Sequence, residues 1–150
     1  MPLYLDADAC PVPVRELLVR AAERAHVLLY VIANSRIPVP HSPWIRSFQV
    51  AAGFDEADRY IISQVQSGDL VITADIPLAA EVISKGAEVL TFRGDLLTVE
   101  SIQERLSTRN LMQTLRDAGL ANSSAPPPSL KERQRFAGIL DHYLQKSGKT

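Results

Sequence analysis

Residues 69–92 read DLVITADIPLAAEVISKGAEVLTF, and their pattern of apolar runs and helical spacing indicates the fold class. An apolar run over residues 70–73 predicts a strand, helical spacing over residues 78–85 predicts a helix that Gly86 ends, and residues 87–92 predict a second strand. Because two strands joined by a helix usually pair side by side in the same direction, the stretch predicts a parallel βαβ unit.

The same alternation extends toward the N-terminus. Residues 3–5 and 27–33 are apolar runs typical of buried strands, and a helical pattern separates them. A proline-rich loop leads to a short predicted strand at residues 47–51, and residues 55–66 predict a helix. We therefore expect an α/β fold, with a mainly parallel sheet of four or five strands and helices on both faces.

The last third of the chain predicts helices. Residues 99–106 and 111–120 have helical spacing, and a segment containing three consecutive prolines then forms a stiff linker. Ser129 and Glu132 form a capping-box signature at the start of a further helix. One face of that helix carries Phe136, Leu140, Tyr143 and Leu144. We expect this C-terminal helical extension to pack on the body of the protein.

Composition is that of a soluble globular chain: of 150 residues, 46% are hydrophobic and 22% are charged. We expect an α/β domain over residues 1–120, with the linker and helix of residues 121–150 packed on it. A single cysteine, Cys10, excludes a disulfide framework and a cysteine-based zinc site. The longest apolar run has seven residues, too short to span a membrane, and no signal peptide is visible, so we expect a cytoplasmic protein without a membrane partner.

Charge is unevenly distributed along the chain. Residues 1–100 contain 8 Lys and Arg against 13 Asp and Glu, whereas residues 101–150 contain 8 against 4. Arg105, Arg109 and Arg116 lie on the helices after the last predicted strand, on roughly one face if those helices are continuous. They are candidates for binding nucleic-acid phosphates. The alternative is a solvated basic face.

Acidic residues follow the predicted strands. Asp6 and Asp8 come after the first strand, Asp75 and Asp95 follow two later ones, and Asp58 lies in the first turn of a helix. Because ligands of open parallel sheets bind beyond the carboxyl ends of the strands, these acids are candidates for one site. Clustered carboxylates repel each other, and a divalent cation such as Mg²⁺ would offset that repulsion.

Each acid also has a purely structural interpretation. Asp8 and Asp75 are suitable N-caps for the helices that follow them, Asp58 suits a helix dipole, and Asp95 suits an Arg-Gly-Asp turn. Cys10 is either a nucleophile at a helix N-terminus or a small buried residue, and the neighbouring carboxylates favour the second interpretation because they raise a thiol pKa.

Three segments carry a family resemblance: LDADACP at 5–11, VAAGFDEADRYI at 50–61 and DLVITADIPLA at 69–79. They resemble the YaiI/YqxD-like bacterial family, and the resemblance extends to TLRDAG at 114–119. That family in turn resembles a divergent branch of the PIN-like fold, whose members are usually metal-dependent ribonucleases.

The PIN-like resemblance implies particular roles for the acids. Asp6, Asp58 and Asp75 correspond to the metal-holding acids, with Asp75 in the family's T-x-D-x-x-L segment. Asp8 and Asp95 would assist, as ligands of a second metal or by orienting water. Asp8 is a departure, because many PIN domains have a small hydroxyl or amide residue there.

The resulting prediction is a Mg²⁺- or Mn²⁺-dependent nuclease that acts on RNA or another nucleic acid. One alternative is a nucleic-acid or protein-binding module that keeps the fold without the chemistry. Another is a small-molecule phosphohydrolase that uses the Asp6-x-Asp8 pair, as haloacid-dehalogenase-like phosphatases do. That match is poor, because Cys10 replaces the expected Thr or Val and only Lys85 could serve as the distal lysine.

Overall fold

The structure is a computed structural model that describes residues 2–8, 10–51, 56–118 and 127–147, without the side chains of residues 116, 117 and 147. These ranges contain β1 (Leu3–Asp6), α1 (Val12–Ala25), β2 (Leu29–Ala33), β3 (Ile45–Gln49), α2 (Glu56–Gln64), β4 (Leu70–Ile72), α3 (Ile76–Ser84), β5 (Glu88–Leu90), β6 (Leu96–Leu97), α4 (Val99–Asp117) and α5 (Leu130–Ser147).

The strands form one sheet in the order β3-β2-β1-β4-β5-β6. Every neighbouring pair is parallel except β5 and β6, which are antiparallel. The predicted α/β fold with a mainly parallel sheet is therefore confirmed. The strand count is corrected from four or five to six.

Both faces of the sheet are covered by helices, as predicted. In β1, Leu3 and Leu5 contribute to one core cluster, together with residues of α1 and α5. Tyr4 points to the other face, where its cluster includes residues of α2, α3 and α4. Side chains alternate between the two faces of a strand, and the inner strands are mainly apolar because both faces are buried.

Strand β6 was not predicted from the sequence. A turn at Gly94 brings it against β5. Gly94 has φ of 85°, a conformation that favours glycine, and its N–H donates to the Thr91 carbonyl at 3.0 Å. The turn reverses the chain, so that Leu96 pairs with Leu90. A strand of two residues has too little periodicity to be recognised from sequence alone.

Helix α4 is continuous, which corrects the prediction of two helices at 99–106 and 111–120. Three of the intervening residues, Ser107, Thr108 and Asn110, have weak helix propensity, but residues 107–110 include neither glycine nor proline, so nothing interrupts the helix. Residues 119–126, which contain most of the predicted proline-rich linker, lie outside the described part of the chain.

Helix α5 begins with the predicted capping box. The Ser129 N–H donates to Glu132 Oε1 at 2.9 Å, and the Glu132 N–H donates to Ser129 Oγ at 3.1 Å. The predicted apolar face, Phe136, Leu140, Tyr143 and Leu144, is buried in the cluster shared with α1. In addition, Tyr143 Oη donates to the Gly68 carbonyl at 2.7 Å. The C-terminal helix therefore packs on the sheet.

Within the described ranges, no helix combines the length and the apolar character needed to cross a membrane.

Candidate active site at the carboxyl end of the sheet

A cleft of about 480 Å³ opens at the carboxyl ends of β1 and β4. These strands are neighbours in the sheet, and the strand order reverses between them, because β2 and β3 lie on one side and β5 on the other. Ligands of doubly wound folds bind at such a switch point. The cleft is lined by Asp6, Asp8, Asn34, Glu56, Ala57, Asp58, Ala74, Asp75, Ile76 and Arg109.

Asp6 is the last residue of β1 and is mostly withdrawn from solvent. Its Oδ2 accepts a hydrogen bond from the Thr73 hydroxyl at 2.8 Å, and this bond joins the ends of β1 and β4. Burial raises the pKa of the Asp6 carboxyl, the Thr73 hydrogen bond opposes the increase, and the charges of Asp75 and Asp8 add to it. The three acids therefore interact electrostatically.

Asp75 follows β4 and is the N-cap of α3. Its Oδ1 accepts a hydrogen bond from the Leu78 N–H at 3.0 Å, and its own N–H donates to Thr73 Oγ1 at 3.0 Å. The capping interpretation of Asp75 is thus confirmed. The cap also fixes the carboxylate at the edge of the cleft, because one oxygen is held by the helix backbone.

Asp8 does not cap α1, which corrects that interpretation. The N-cap of α1 is Pro11, without a side-chain cap. Both carboxylate oxygens of Asp8 instead accept from the Asn34 N–H, at 3.0 Å each. Asp8 therefore holds the start of the loop that follows β2 against the end of β1.

The other walls of the cleft come from α2 and α4. Asp58 lies in the first turn of α2 and is half-buried, and Glu56 is the first residue of that helix. From α4, Arg109 contributes a cationic side chain, the only one among the described residues that line this cleft. Arg109 also lines an adjoining cavity of about 460 Å³, together with Asp58 and Asp75.

Two further predicted site residues lie elsewhere. Asp95 accepts a hydrogen bond from Arg105 at 3.1 Å and forms an ion pair with Arg135 at 3.2 Å. Asp95 and Arg105 line a neighbouring cavity of about 380 Å³, which shares Ala74 and Ile76 with the cleft but does not share its acids. The structure therefore does not bring either residue to the acidic cleft. Arg116 lies on α4, but its side chain is outside the described part.

Cys10 is buried, and burial raises the pKa of its thiol to about 12. At neutral pH the side chain is therefore a thiol rather than the thiolate a nucleophile requires. The interpretation of Cys10 as a small buried residue is confirmed.

Two residues that line the cleft, Asn34 and Glu56, are not among the site residues predicted from the sequence. Asn34 has no recognisable motif, because its position depends on the pairing of β2 with β1. Glu56 lies with the predicted residue Asp58 in the first turn of α2. An acidic first turn was the signal that could have identified it.

Carboxylate oxygens are the ligands that Mg²⁺ prefers, so the chemistry of the cleft suits a hard divalent cation. Among the described residues, however, no group of three or more His, Cys, Asp or Glu side chains has an arrangement that could hold a metal ion. Mg²⁺ commonly binds through one or two carboxylates and completes its coordination with waters and substrate phosphates. The cleft fits this second mode of binding.

Comparison with known proteins agrees with the resemblance in the sequence. Residues 4–146 match the model of a family described as "Uncharacterized BCR, YaiI/YqxD family". Similar proteins include a UPF0178 protein of Cellvibrio japonicus, 50% identical over 150 residues and 99% of each chain. Another, from Thioalkalivibrio sulfidiphilus, is 53% identical over 146 residues, which cover 97% of this chain and 99% of the relative. No solved structure matches the chain. The chain belongs to the YaiI/YqxD family.

Proposed function

We propose that the acidic cleft binds Mg²⁺ or Mn²⁺ and hydrolyses phosphodiester bonds in RNA. The observation that carries the proposal is the convergence of Asp6, Asp8, Asp58 and Asp75 on one cleft at the switch point of the sheet. A nuclease needs both carboxylates for the cation and positive charge for the polyanion, and Arg109 supplies that charge in the same lining.

Asp6 and Asp75 are the first residues to hold a cation. Each uses one carboxylate oxygen in a fixed hydrogen bond, from Thr73 and from the Leu78 N–H respectively. The second oxygen of each carboxylate accepts no hydrogen bond within the described residues, so it is available to a ligand. Asp58, which lines the same cleft from α2, would contact the cation through a coordinated water. When bound, the cation lowers the pKa of a coordinated water and screens negative charge on the phosphate.

The surrounding residues position these carboxylates. Thr73 orients Asp6 and, through its contact with the Asp75 N–H, fixes the chain that leads into α3. Asp8 anchors the Asn34 backbone and so keeps the loop after β2 at the edge of the cleft. Arg109 is a binding residue for the phosphates of the substrate.

The PIN-like relationship is part of the proposal. It is supported by the placement of Asp6 at the end of β1, Asp58 in a mid-chain helix and Asp75 after β4 around one cleft. The resemblance gives Asp95 an assisting role, but its two arginine partners hold it at the neighbouring cavity, so we assign it no part in the reaction.

The phosphohydrolase alternative has less support. It requires a lysine at the site, and Lys85 lies at the C-terminal end of α3, whereas Asp75 lies at its N-terminal end. Nine helical residues lie between the two, which places them roughly 15 Å apart along the helix axis. The Lys85 ammonium donates instead to the Ile62 carbonyl.

Cleavage of a labelled single-stranded RNA tests the proposal. Wild type should cleave in Mn²⁺ or Mg²⁺ and not in EDTA. Asp6→Asn and Asp75→Asn should lower the rate by about 100-fold or more, which is typical when a group that stabilises transition-state charge is removed. Asp95→Asn is the matched control and should retain activity. Binding without cleavage by wild type would favour the non-catalytic binding module, and loss of activity only in Asp95→Asn would place the reaction at the other cavity.

A further inference from the structure

Four aromatic rings form a ladder across one face of the sheet beside the acidic cleft. The ring centroids are 5.1 Å apart for Tyr4 and Tyr30, and 5.7 Å apart both for Tyr30 and Phe48 and for Phe48 and Tyr60. The pairing of β2 with β3 creates the central contact, since Phe48 lies opposite Ile32, which is two residues from Tyr30. We call these four residues the aromatic ladder.

The ladder runs from the core to the surface. Tyr4 is buried, Tyr30 and Tyr60 are half-buried, and Phe48 is 36% exposed on β3, an outermost strand of the sheet. An exposed phenylalanine held by two neighbouring rings is a rigid, preformed flat surface. Rings of this kind bind nucleobases by stacking, with little dependence on base identity.

Positive charge lies beside Phe48, the most exposed ring of the ladder. Arg46 is two residues from Phe48 on β3, so both side chains point to the same face of the sheet. Arg46 is exposed and has no ion-pair partner among the residues that the structure describes. Proteins that bind single-stranded nucleic acid combine positive charge for the phosphates with aromatic rings for the bases, and Arg46 and Phe48 supply one of each.

The ladder is adjacent to the cleft along two elements. On α2, Tyr60 lies four residues after Glu56, one helical turn or about 6 Å along the axis, and Glu56 lines the cleft. On β2, Ile32 pairs with Phe48 and comes two residues before Asn34, which also lines the cleft. A nucleic-acid strand that leaves the cleft therefore has to extend by only about one helical turn, or two residues of β2, to reach the aromatic ladder.

We propose that a base of single-stranded RNA stacks on Phe48 while Arg46 contacts a neighbouring phosphate. The inference rests on the proposed function, because it assigns the path of the substrate strand from the acidic cleft. It predicts a preference for single-stranded over double-stranded RNA, since the bases of a duplex are already stacked on each other.

Binding in EDTA at low salt tests the inference without cleavage. The probe is a fluorescently labelled single-stranded oligoadenylate, compared with a strand of abasic sugars that has the same phosphates. Phe48→Ala and Phe48→Leu should weaken binding of the oligoadenylate by roughly 5- to 140-fold, the equivalent of ~1–3 kcal/mol per stacked base. Phe48→Tyr should bind like wild type. No Phe48 variant should change binding of the abasic strand.

Leu96→Ala is the matched control, because Leu96 is similarly exposed at 42% on β6, the opposite edge of the sheet. It should leave binding unchanged. Phe48→Leu keeps an apolar side chain in the ladder, and thermal unfolding verifies that it is folded. Wild-type affinity in both Phe48→Ala and Phe48→Leu, an equal loss on the abasic strand, or no binding of oligoadenylate by wild type would overturn the inference.

The two proposals fail in different ways. An oligonucleotide that binds through Phe48 but is not cleaved in Mn²⁺ contradicts the proposed hydrolysis and supports the stacking site. Cleavage and binding that are equal in wild type and Phe48→Leu contradict the stacking site and leave the hydrolysis standing.

Discussion

Replacing Asp75 with asparagine separates the structural role of this residue from its proposed role in cation binding. Asp75 caps α3 through the Leu78 N–H at 3.0 Å, and an asparagine oxygen can accept the same hydrogen bond. Asparagine and aspartate are about equally good N-caps. The substitution therefore keeps the cap and removes one negative charge from the cleft.

Two opposing effects determine the stability of Asp75→Asn without cation. Loss of a negative charge at a helix N-terminus costs about 0.3–1 kcal/mol. Loss of the repulsion between Asp75 and the partly buried Asp6 offsets some of that cost. We therefore expect the free energy of unfolding of the variant to remain within about 1 kcal/mol of wild type in EDTA.

Cation should stabilise only wild type strongly. A ligand that binds the native state alone adds ~1.4 kcal/mol at ten times its Kd and ~2.7 kcal/mol at a hundred times its Kd. For a chain of this size, each kcal/mol corresponds to about 2–4 °C in Tm, so the expected increases are roughly 3–6 °C and 5–11 °C. In Asp75→Asn, the increase at the same Mg²⁺ or Mn²⁺ concentration should be less than half of that.

Thermal unfolding across a Mn²⁺ titration, at constant ionic strength, measures both effects. Asp95→Asn is the control, because Asp95 lies at a different cavity and should leave the cation-dependent increase in Tm intact. If the cation raises the Tm of wild type and of Asp75→Asn equally, Asp75 is not a ligand, since the cation would then act away from this residue.

Three further predictions concern pH, salt and the core. Because burial raises the native pKa of Asp6, ionisation of this carboxyl destabilises the native state as pH rises. In EDTA, the Tm of Asp6→Asn should therefore exceed that of wild type toward neutral pH, and the difference should disappear below the unfolded pKa of about 3.9. Thermal unfolding at a series of pH values measures this difference. Arg109→Ala should reduce the salt slope of RNA binding by about 0.7, the value for one phosphate contact to a single strand, whereas Arg105→Ala should leave the slope unchanged because Arg105 is paired with Asp95; titrations at several salt concentrations would measure both slopes. Leu140→Ala in the fully buried face of α5 should cost about 2–5 kcal/mol in denaturant unfolding, and a cost near zero would show that α5 does not contribute to the core.

Much of the fold follows from local pattern. Residues 69–92 contain β4, α3 and β5, and there the hydrophobic periodicity and the helix-ending glycine predict the same elements. Both ends of each element lie within two residues of the bounds predicted from the sequence. The capping box at Ser129 and Glu132 was equally readable, because it depends on two residues three apart. Local signals of this kind survive because tertiary contacts reinforce them.

What the sequence did not show depends on tertiary pairing. Strand β6 exists because the Gly94 turn returns the chain to β5, and Asp95 consequently faces arginines of α4 and α5 rather than the cleft. Tyr30 and Phe48 come together only through the register of β2 with β3. The acids Asp6 and Asp75 could be placed at one sheet edge because strand direction alone determines where a strand ends.

Anomalous X-ray scattering from a crystal grown with Mn²⁺ tests the cation site most directly. We expect a strong anomalous peak in the cleft, within coordination distance of the Asp6 and Asp75 carboxylates. The peak should be absent from crystals of Asp75→Asn grown in the same Mn²⁺ concentration. A wild-type crystal saturated with Mn²⁺ that shows no peak in this cleft, or a peak only beside Asp95, would contradict the account.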